Sequence, residues 1–163
     1  MHIRPARLAE LADLQRIFDI GRASMRAAGN TVQWVNGYPT DELLAHDIAN
    51  GNLYVLEDAE GISHAVFAFV EGADPTYAEI DGAWLNDAPY AAIHRVASDG
   101  SVRGVMHRVV EFCARRGLDL RVDTHESNAT MRGALAKEGF AECGTIVIAD
   151  GTERIAYQLP ART

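Results

Sequence analysis

Between Val96 and Cys113 the chain reads Val-Ala-Ser-Asp-Gly-Ser-Val-Arg-Gly-Val-Met-His-Arg-Val-Val-Glu-Phe-Cys. A short apolar run, Ala91 to Ala97, enters a polar turn holding Gly100 and Gly104. Val102, Val105, Met106, Val109, Phe112 and Cys113 then follow at the spacing of one helical face. Strand, glycine-containing turn and helix start, in that order, gather N–H groups without intrahelical partners at the positive end of a helix dipole. Such a point suits a phosphate or pyrophosphate. The same Ser-Asp-Gly-Ser also makes an ordinary turn and N-cap, so the turn by itself leaves both readings open. No Gly-Lys-Ser/Thr follows the glycine, which excludes a nucleoside-triphosphate loop, and the Gly-x-Gly-x-x-Gly spacing of a dinucleotide fingerprint is missing.

A chain of 163 residues suits one domain, 1–163, long enough to bury a core. Its formal charge of −8 argues against nucleic-acid binding, which needs a basic face, and favours a cationic small molecule or a peptide amine as partner. No run approaches the roughly 20 apolar residues of a membrane span. Met-His-Ile-Arg-Pro lacks a signal-peptide core, so the expected location is cytoplasmic, with no membrane partner. Two cysteines make no disulfide framework; Cys113 lies on the apolar helix face and Cys143 in a strand, both read as buried spectators. No His, Cys and carboxylate cluster has metal-ligand spacing, so no metal is expected.

Around the turn, the pattern predicts a short edge strand at His2–Ala6, a long helix from Leu8 and a loop from Thr31 to Pro39 carrying Trp34 and Tyr38. Thr40 caps a second helix with Asp41 and Glu42 in its first turn, ending at Asn50-Gly51. Two strands, Leu53–Leu56 and Ala65–Val70, form a hairpin about Ala59-Glu60-Gly61. An irregular segment, Glu71 to Pro89, is long enough to suggest function. A strand at Leu118–Thr124, a helix at Asn128–Glu138 and strands at Cys143–Ala149 and Glu153–Leu159 complete the chain. The order β-α-α-β-β-β-α-β-α-β-β describes one α/β layer domain with a mixed sheet. Arg95, Arg121 and Asp123 interrupt apolar strands and are expected to be buried and paired, as a structural ion-pair network.

This element order, with a phosphate-type turn between fourth strand and third helix, resembles the GCN5-related N-acetyltransferase (GNAT) superfamily over almost the whole chain. Asn128-Ala-Thr-Met-Arg-Gly-Ala-Leu135-Ala-Lys137-Glu-Gly139-Phe140 is similar to the family's Asn-x-x-Ala-x-x-Leu-Tyr-x-Lys-x-Gly-Phe segment, matched at Asn128, Lys137, Gly139 and Phe140. The turn matches the family's Gln/Arg-x-x-Gly-x-Gly/Ala motif at Gly104, with Ser101 in place of Arg or Gln and Met106 in place of the last small residue. The resemblance implies a mostly antiparallel central sheet, helices on both faces, and fourth and fifth strands that splay. It implies acetyl-CoA as cosubstrate, its pyrophosphate on backbone amides of Ser101, Val102, Arg103, Gly104, Val105 and Met106, with Arg103 as a charge partner. The pantetheine arm would pair with the backbone near Val96 and Ser98, and Asn128 would hydrogen-bond it. A homodimer is compatible by family analogy alone. Leu135 stands where relatives often carry a tyrosine that protonates the departing thiolate.

The implied reaction is direct attack of a primary amine, from a small molecule or a peptide, on the thioester within a ternary complex. A base or water relay must take the amine proton. His94, in the fourth strand at the parity of Ala92 and Val96, is the first candidate, because imidazole titrates near neutrality. His125 ends the fifth strand, and Glu79 and Asp81 on the long loop are acids that fit either a base or recognition of a cation. Trp34, Tyr38, Trp84 and Tyr90 form the pool for an acceptor pocket, with core packing as the alternative for each. A non-catalytic acyl-CoA-binding sensor or interaction module is the competing function.

Overall fold

A computed structural model describes residues 1–163. The elements are β1 (His2–Pro5), α1 (Leu11–Ala27), α2 (Asp41–Ala49), β2 (Leu53–Glu57), β3 (Ser63–Glu71), β4 (Asp81–Gly82), β5 (Tyr90–Ser98), α3 (Val105–Ala114), β6 (Asp119–Thr124), α4 (Ala129–Lys137), β7 (Ala141–Val147) and β8 (Glu153–Leu159). Eight strands join in the order β1-β2-β3-β5-β6-β8-β7-β4. β1 and β2, β2 and β3, β4 and β7, β6 and β8, and β7 and β8 pair antiparallel, whereas β5 and β6 run parallel. The fold is therefore α/β with a mixed, mostly antiparallel sheet.

Backbone contacts divide the chain into two units, residues 1–69 with 94–105, and residues 70–93 with 106–163; the division falls inside β5. In the first unit, Leu14, Ile17 and Phe18 of α1 and Leu44 of α2 are buried in one cluster with Leu53 and Val55 of β2, Val66 and Ala68 of β3 and Ala97 of β5. The Leu14-Ile17-Phe18 spacing puts one face of α1 inward, as the helical period requires. Thr40 caps α2 as expected, its Oγ1 accepting from the Leu43 N–H at 3.1 Å. β1 pairs with β2 alone, so Pro5 lies on an edge strand, where its missing N–H costs no ladder bond.

In the second unit, Met106, Val109, Val110 and Cys113 are the buried residues of α3. The helix begins at Val105, so Val102, expected on the helical stripe, lies in the loop before it, and Val110 takes part in the buried face instead. Burial pushes the Cys113 thiol up to about 12 and raises Cys143 as well, so both are neutral near pH 7 and neither serves as a thiolate nucleophile. Tyr77, Ala92, Ile146 and Ala156 form a second buried cluster, with Ile80, Trp84, Tyr90 and Ile148 against it.

The segment 71–89, expected to be irregular, contains a single 3-10 turn at Pro75–Tyr77 and the two-residue strand β4. Two residues carry no readable period, which is why sequence patterning misses β4. Asp81 and Gly82 pair with Thr145 and Gly144 of β7. A Cβ on Gly82 would meet the Cys143 carbonyl oxygen at 2.3 Å, and one on Gly144 the Asp81 carbonyl oxygen at 2.0 Å. Both glycines hold positive φ, +126° and +148°, so backbone meets backbone only without side chains. Gly144→Ala is expected to destabilise the protein by at least about 2 kcal/mol, lowering Tm by roughly 4–8 °C. Gly133→Ala, inside α4 with open space around it, should instead stabilise by about 0.5–1 kcal/mol. Thermal denaturation of both variants checks the pair of signs.

Candidate active site

Two features of β5 set the geometry. Its register with β6 covers Tyr90–Ala92 against Asp119–Arg121 and no further, so the two strands part company after Ala92, as expected. Arg95 holds φ of +53°, a left-handed conformation uncommon for any side chain but glycine. That residue breaks the extended alternation between His94 and Val96, so the parity argument placing His94 on the face of Val96 does not carry through the strand. His94 itself is half-buried within β5.

What holds Arg95 in this conformation lies on α2 and the loop before it. The guanidinium donates from Nε to Asp47 Oδ2 at 3.0 Å, places NH2 2.7 Å from the same oxygen, and donates from NH1 to the Tyr38 hydroxyl at 3.2 Å. Asp47 is buried and Arg95 half-buried, so the expected pairing of Arg95 is present. Arg121 differs from expectation. It is buried with its guanidinium carbon 3.9 Å from the ring centres of both Trp84 and Tyr90, and NH2 donates to the Asn86 carbonyl at 3.2 Å. Aromatic faces and a carbonyl, rather than an ion pair, compensate its burial. Asp123 accepts from the buried Tyr77 hydroxyl at 2.5 Å, and burial next to that carboxylate raises the phenol well above its ordinary value.

The loop after β5 is built around Asp99. Its Oδ1 accepts the Ser101 N–H at 2.9 Å and the Ser101 hydroxyl at 2.6 Å, while Ser98 Oγ accepts the Gly100 N–H at 3.1 Å. The Ser101 amide, expected to face a pyrophosphate, is therefore spent on Asp99. Val102, Arg103 and Gly104 follow and lead into Val105 and Met106, where α3 begins and the first N–H groups of a helix have no intrahelical acceptor. Gly104 sits at φ of +70°, the turn into the helix that a glycine makes without strain. Arg103 is exposed, whereas the Met106 side chain is buried, leaving only its backbone to serve a ligand. Val96 and Ser98 are half-buried on β5.

Asn128 caps α4, its Oδ1 accepting the Met131 N–H at 3.1 Å. Next to it, the Ser127 N–H donates to His125 Nδ1 at 3.1 Å, with the Ser127 hydroxyl 2.7 Å from the same nitrogen. A ring nitrogen that accepts from an amide carries no proton, so the Nδ1 lone pair of His125 is already engaged by the Ser127 N–H. This argues against His125 as the base. Leu135 is fully buried and belongs to the core.

The aromatic pool divides. Trp34 meets Phe18 edge-on at 5.4 Å and packs on the first core; Trp84 donates Nε1–H to the Tyr77 carbonyl at 3.1 Å; the Tyr90 hydroxyl accepts the Asp74 N–H at 2.7 Å. These three are structural aromatics, and Tyr38 is the exposed one. Glu79 and Asp81, both exposed, line an open cleft of about 470 Å³ in the second unit, with Thr76, Ile146, Thr145 and Glu153. Loop position alone signalled Glu79 and Asp81; Glu153 gave no signal because the two acids that share its cleft are distant in sequence. No group of three or more His, Cys, Asp or Glu side chains is arranged to hold a metal ion, and no helix is long and apolar enough to cross a membrane.

The site is that of an α/β protein in which a parallel strand pair ends its register ahead of a glycine turn and a helix start. No protein-family model matches the chain. Solved structures do: a GNAT-family acetyltransferase from Streptococcus agalactiae is 31% identical, covering 99% of this chain and 96% of its own, with a TM-score of 0.88. One from Listeria monocytogenes matches with a TM-score of 0.72 at 17% identity over 97% and 93% of the two chains. A GNAT-superfamily phosphinothricin acetyltransferase from Sinorhizobium meliloti, solved in complex with AcCoA, matches with a TM-score of 0.64 at 15% identity, over 98% and 88%. The chain belongs to the GNAT family of acetyltransferases and is an acyltransferase.

The buried ion pair yields a test. Arg95→Met leaves the Asp47 carboxylate buried without its cation and should cost about 3 kcal/mol. Combining it with Asp47→Leu should recover part of that loss in denaturant melts, the sign that the charge and not the volume matters.

Proposed function

We propose that the chain transfers the acetyl group of acetyl-CoA to a primary amine of a small molecule or peptide, by direct attack in a ternary complex. The observation that carries the reading is the backbone from Val102 to Met106, where a glycine turn delivers N–H groups to the start of α3. Those amides, joined by the Arg103 charge, suit the donor's pyrophosphate. The β5 backbone about Val96 and Ser98, beyond the last residue registered with β6, suits the amide groups of the pantetheine arm. Asn128 serves that arm in the same reading. The neighbour solved with AcCoA supports the donor's identity for a protein of this fold.

The acetyl carbon accepts the amine's lone pair, the carbonyl oxygen becomes an oxyanion, and collapse expels the CoA thiolate. A backbone N–H of β5 meets the oxyanion requirement. Leu135 has no proton to give, and the reaction tolerates this because a thiolate is a stable leaving group, with a thiol pKa of about 8.5. His94 takes the amine proton, directly or through water. The carboxylates of Glu79, Asp81 and Glu153 around one cleft favour an acceptor that arrives as a cation, and Glu79 is the acid alternative for the base. Tyr38 adds an exposed aromatic surface. Assembly as a homodimer and a cytoplasmic location belong to the same reading.

Thiol release from acetyl-CoA, measured against a panel of small amines and amino-terminal peptides, tests the reaction: release above hydrolysis with a cationic amine supports it. Tight CoA binding with no acceptor-dependent release would favour a sensor. Gly104→Glu should weaken CoA binding about tenfold or more by placing a carboxylate beside the pyrophosphate, whereas Gly104→Asn, which tolerates positive φ, should change it little. Equal affinities for both would show that the turn holds no phosphate. His94→Ala should lower kcat by about a hundredfold with CoA affinity nearly unchanged; a wild-type pH–rate profile in that variant removes His94 from the base role.

A further inference from the structure

The turn that replaces the family's Arg or Gln with Ser101 is tied to a histidine that the reaction does not use. His64, on β3, places Nδ1 2.9 Å from Asp99 Oδ2 and 2.8 Å from Ser101 Oγ, and Nε2 2.9 Å from Asp58 Oδ2. Because Ser101 Oγ donates its proton to Asp99, it accepts from Nδ1, and Asp58 as a carboxylate accepts from Nε2. Both ring nitrogens are therefore donors, which only an imidazolium provides. Asp58 is itself fixed by the β2–β3 turn, its Oδ1 accepting the Glu60 N–H at 3.0 Å and the Ile62 N–H at 2.8 Å. The His64 carbonyl accepts the Asp99 N–H at 2.9 Å, so backbone and side chain hold the same residue.

We propose that His64 is a positioning residue for the acyl donor, an imidazolium that fixes the Asp99–Gly104 loop and cancels one of the two carboxylate charges beside its phosphate-binding amides. The inference rests on the acetyl-CoA reading of that loop. The groups facing the ring are Asp58 from the β2–β3 turn and Asp99 and Ser101 from the loop after β5. With the ring protonated, His64, Asp58 and Asp99 sum to one negative charge; with the ring neutral, to two. A polyanionic donor is then repelled more strongly, and the ring keeps only one of the two N–H donors that tie the loop to the β2–β3 turn. The two aspartates raise the His64 pKa above its ordinary value of 6.5. A raised value means that the folded protein is favoured below that ordinary value, and that the gain is lost as pH climbs through the raised one.

Calorimetric titration of CoA from pH 6 to 9, with His64→Gln and Asp99→Asn beside the wild type, reads this out. The wild type should lose roughly tenfold in CoA affinity on the alkaline side. His64→Gln should bind roughly tenfold more weakly at pH 6.5, with a flatter profile, and should raise the KM for acetyl-CoA with kcat at saturation preserved. Asp99→Asn, which removes one of the facing charges, should flatten the profile too and keeps the test alive where His64→Gln folds poorly. Wild-type affinity and pH profile in both variants would overturn the role of His64 and leave the acetyl-CoA reading standing. Absence of CoA binding by the wild type at near-millimolar ligand would overturn both.

Discussion

A single arginine in a left-handed conformation decides where β5 stops behaving as an ordinary strand. Extended backbone would continue the alternation set by Ala91, Ala92 and Ile93, and Arg95 at φ of +53° interrupts it. Such a conformation costs on the order of 1–3 kcal/mol unless its surroundings compel it. Here they do: Asp47 of α2, itself buried, accepts two guanidinium bonds, and the Tyr38 hydroxyl accepts a third. The helix that looks like a peripheral cap on the first core is thus what holds the strand in its broken form. The register with β6 ends three residues before Arg95, and the turn begins four residues after it.

The fold was largely readable because most of its elements announce themselves locally. Thr40 before Asp41-Glu42, Asn128 before α4 and the apolar period of α1 are short-range signals, and the structure uses each of them. β4 was not readable, because two residues have no period and its pairing depends on Gly144, which lies 62 positions further along the chain than Gly82. The same limit governed the site. Residue type pointed to Ser101 and the glycines, but that the Ser101 amide is consumed by Asp99 follows from loop geometry. His64 carries no local signal, because its partners, Asp58 and Asp99, are separated by 41 positions in sequence. Arg121 was correctly expected to be buried, yet what compensates it is a pair of rings rather than a carboxylate.

Under the acetyl-CoA reading proposed above, the electrostatics of the loop after β5 depart from a simple anion trap. A turn that binds a polyphosphate gains from cations, and this one carries Asp99 at its root with Asp58 close behind. The carboxylate earns its place structurally: it organises Ser101 and meets His64, which gives a small polar residue the ordering that a long cationic side chain would otherwise supply by direct contact. Shape is gained at the expense of attraction, and the imidazolium restores part of the balance.

Leu135 has a consequence for how this catalyst could change. Its side chain is completely enclosed, so the position serves packing. Reintroducing a phenol there would require a larger volume, and overpacking of that kind costs about 1–3 kcal/mol. It would also bury a hydroxyl that needs a partner. Under the proposed acetyl transfer, a proton donor at this point is therefore costly to introduce, and gains in rate are more accessible through acceptor alignment or oxyanion stabilisation.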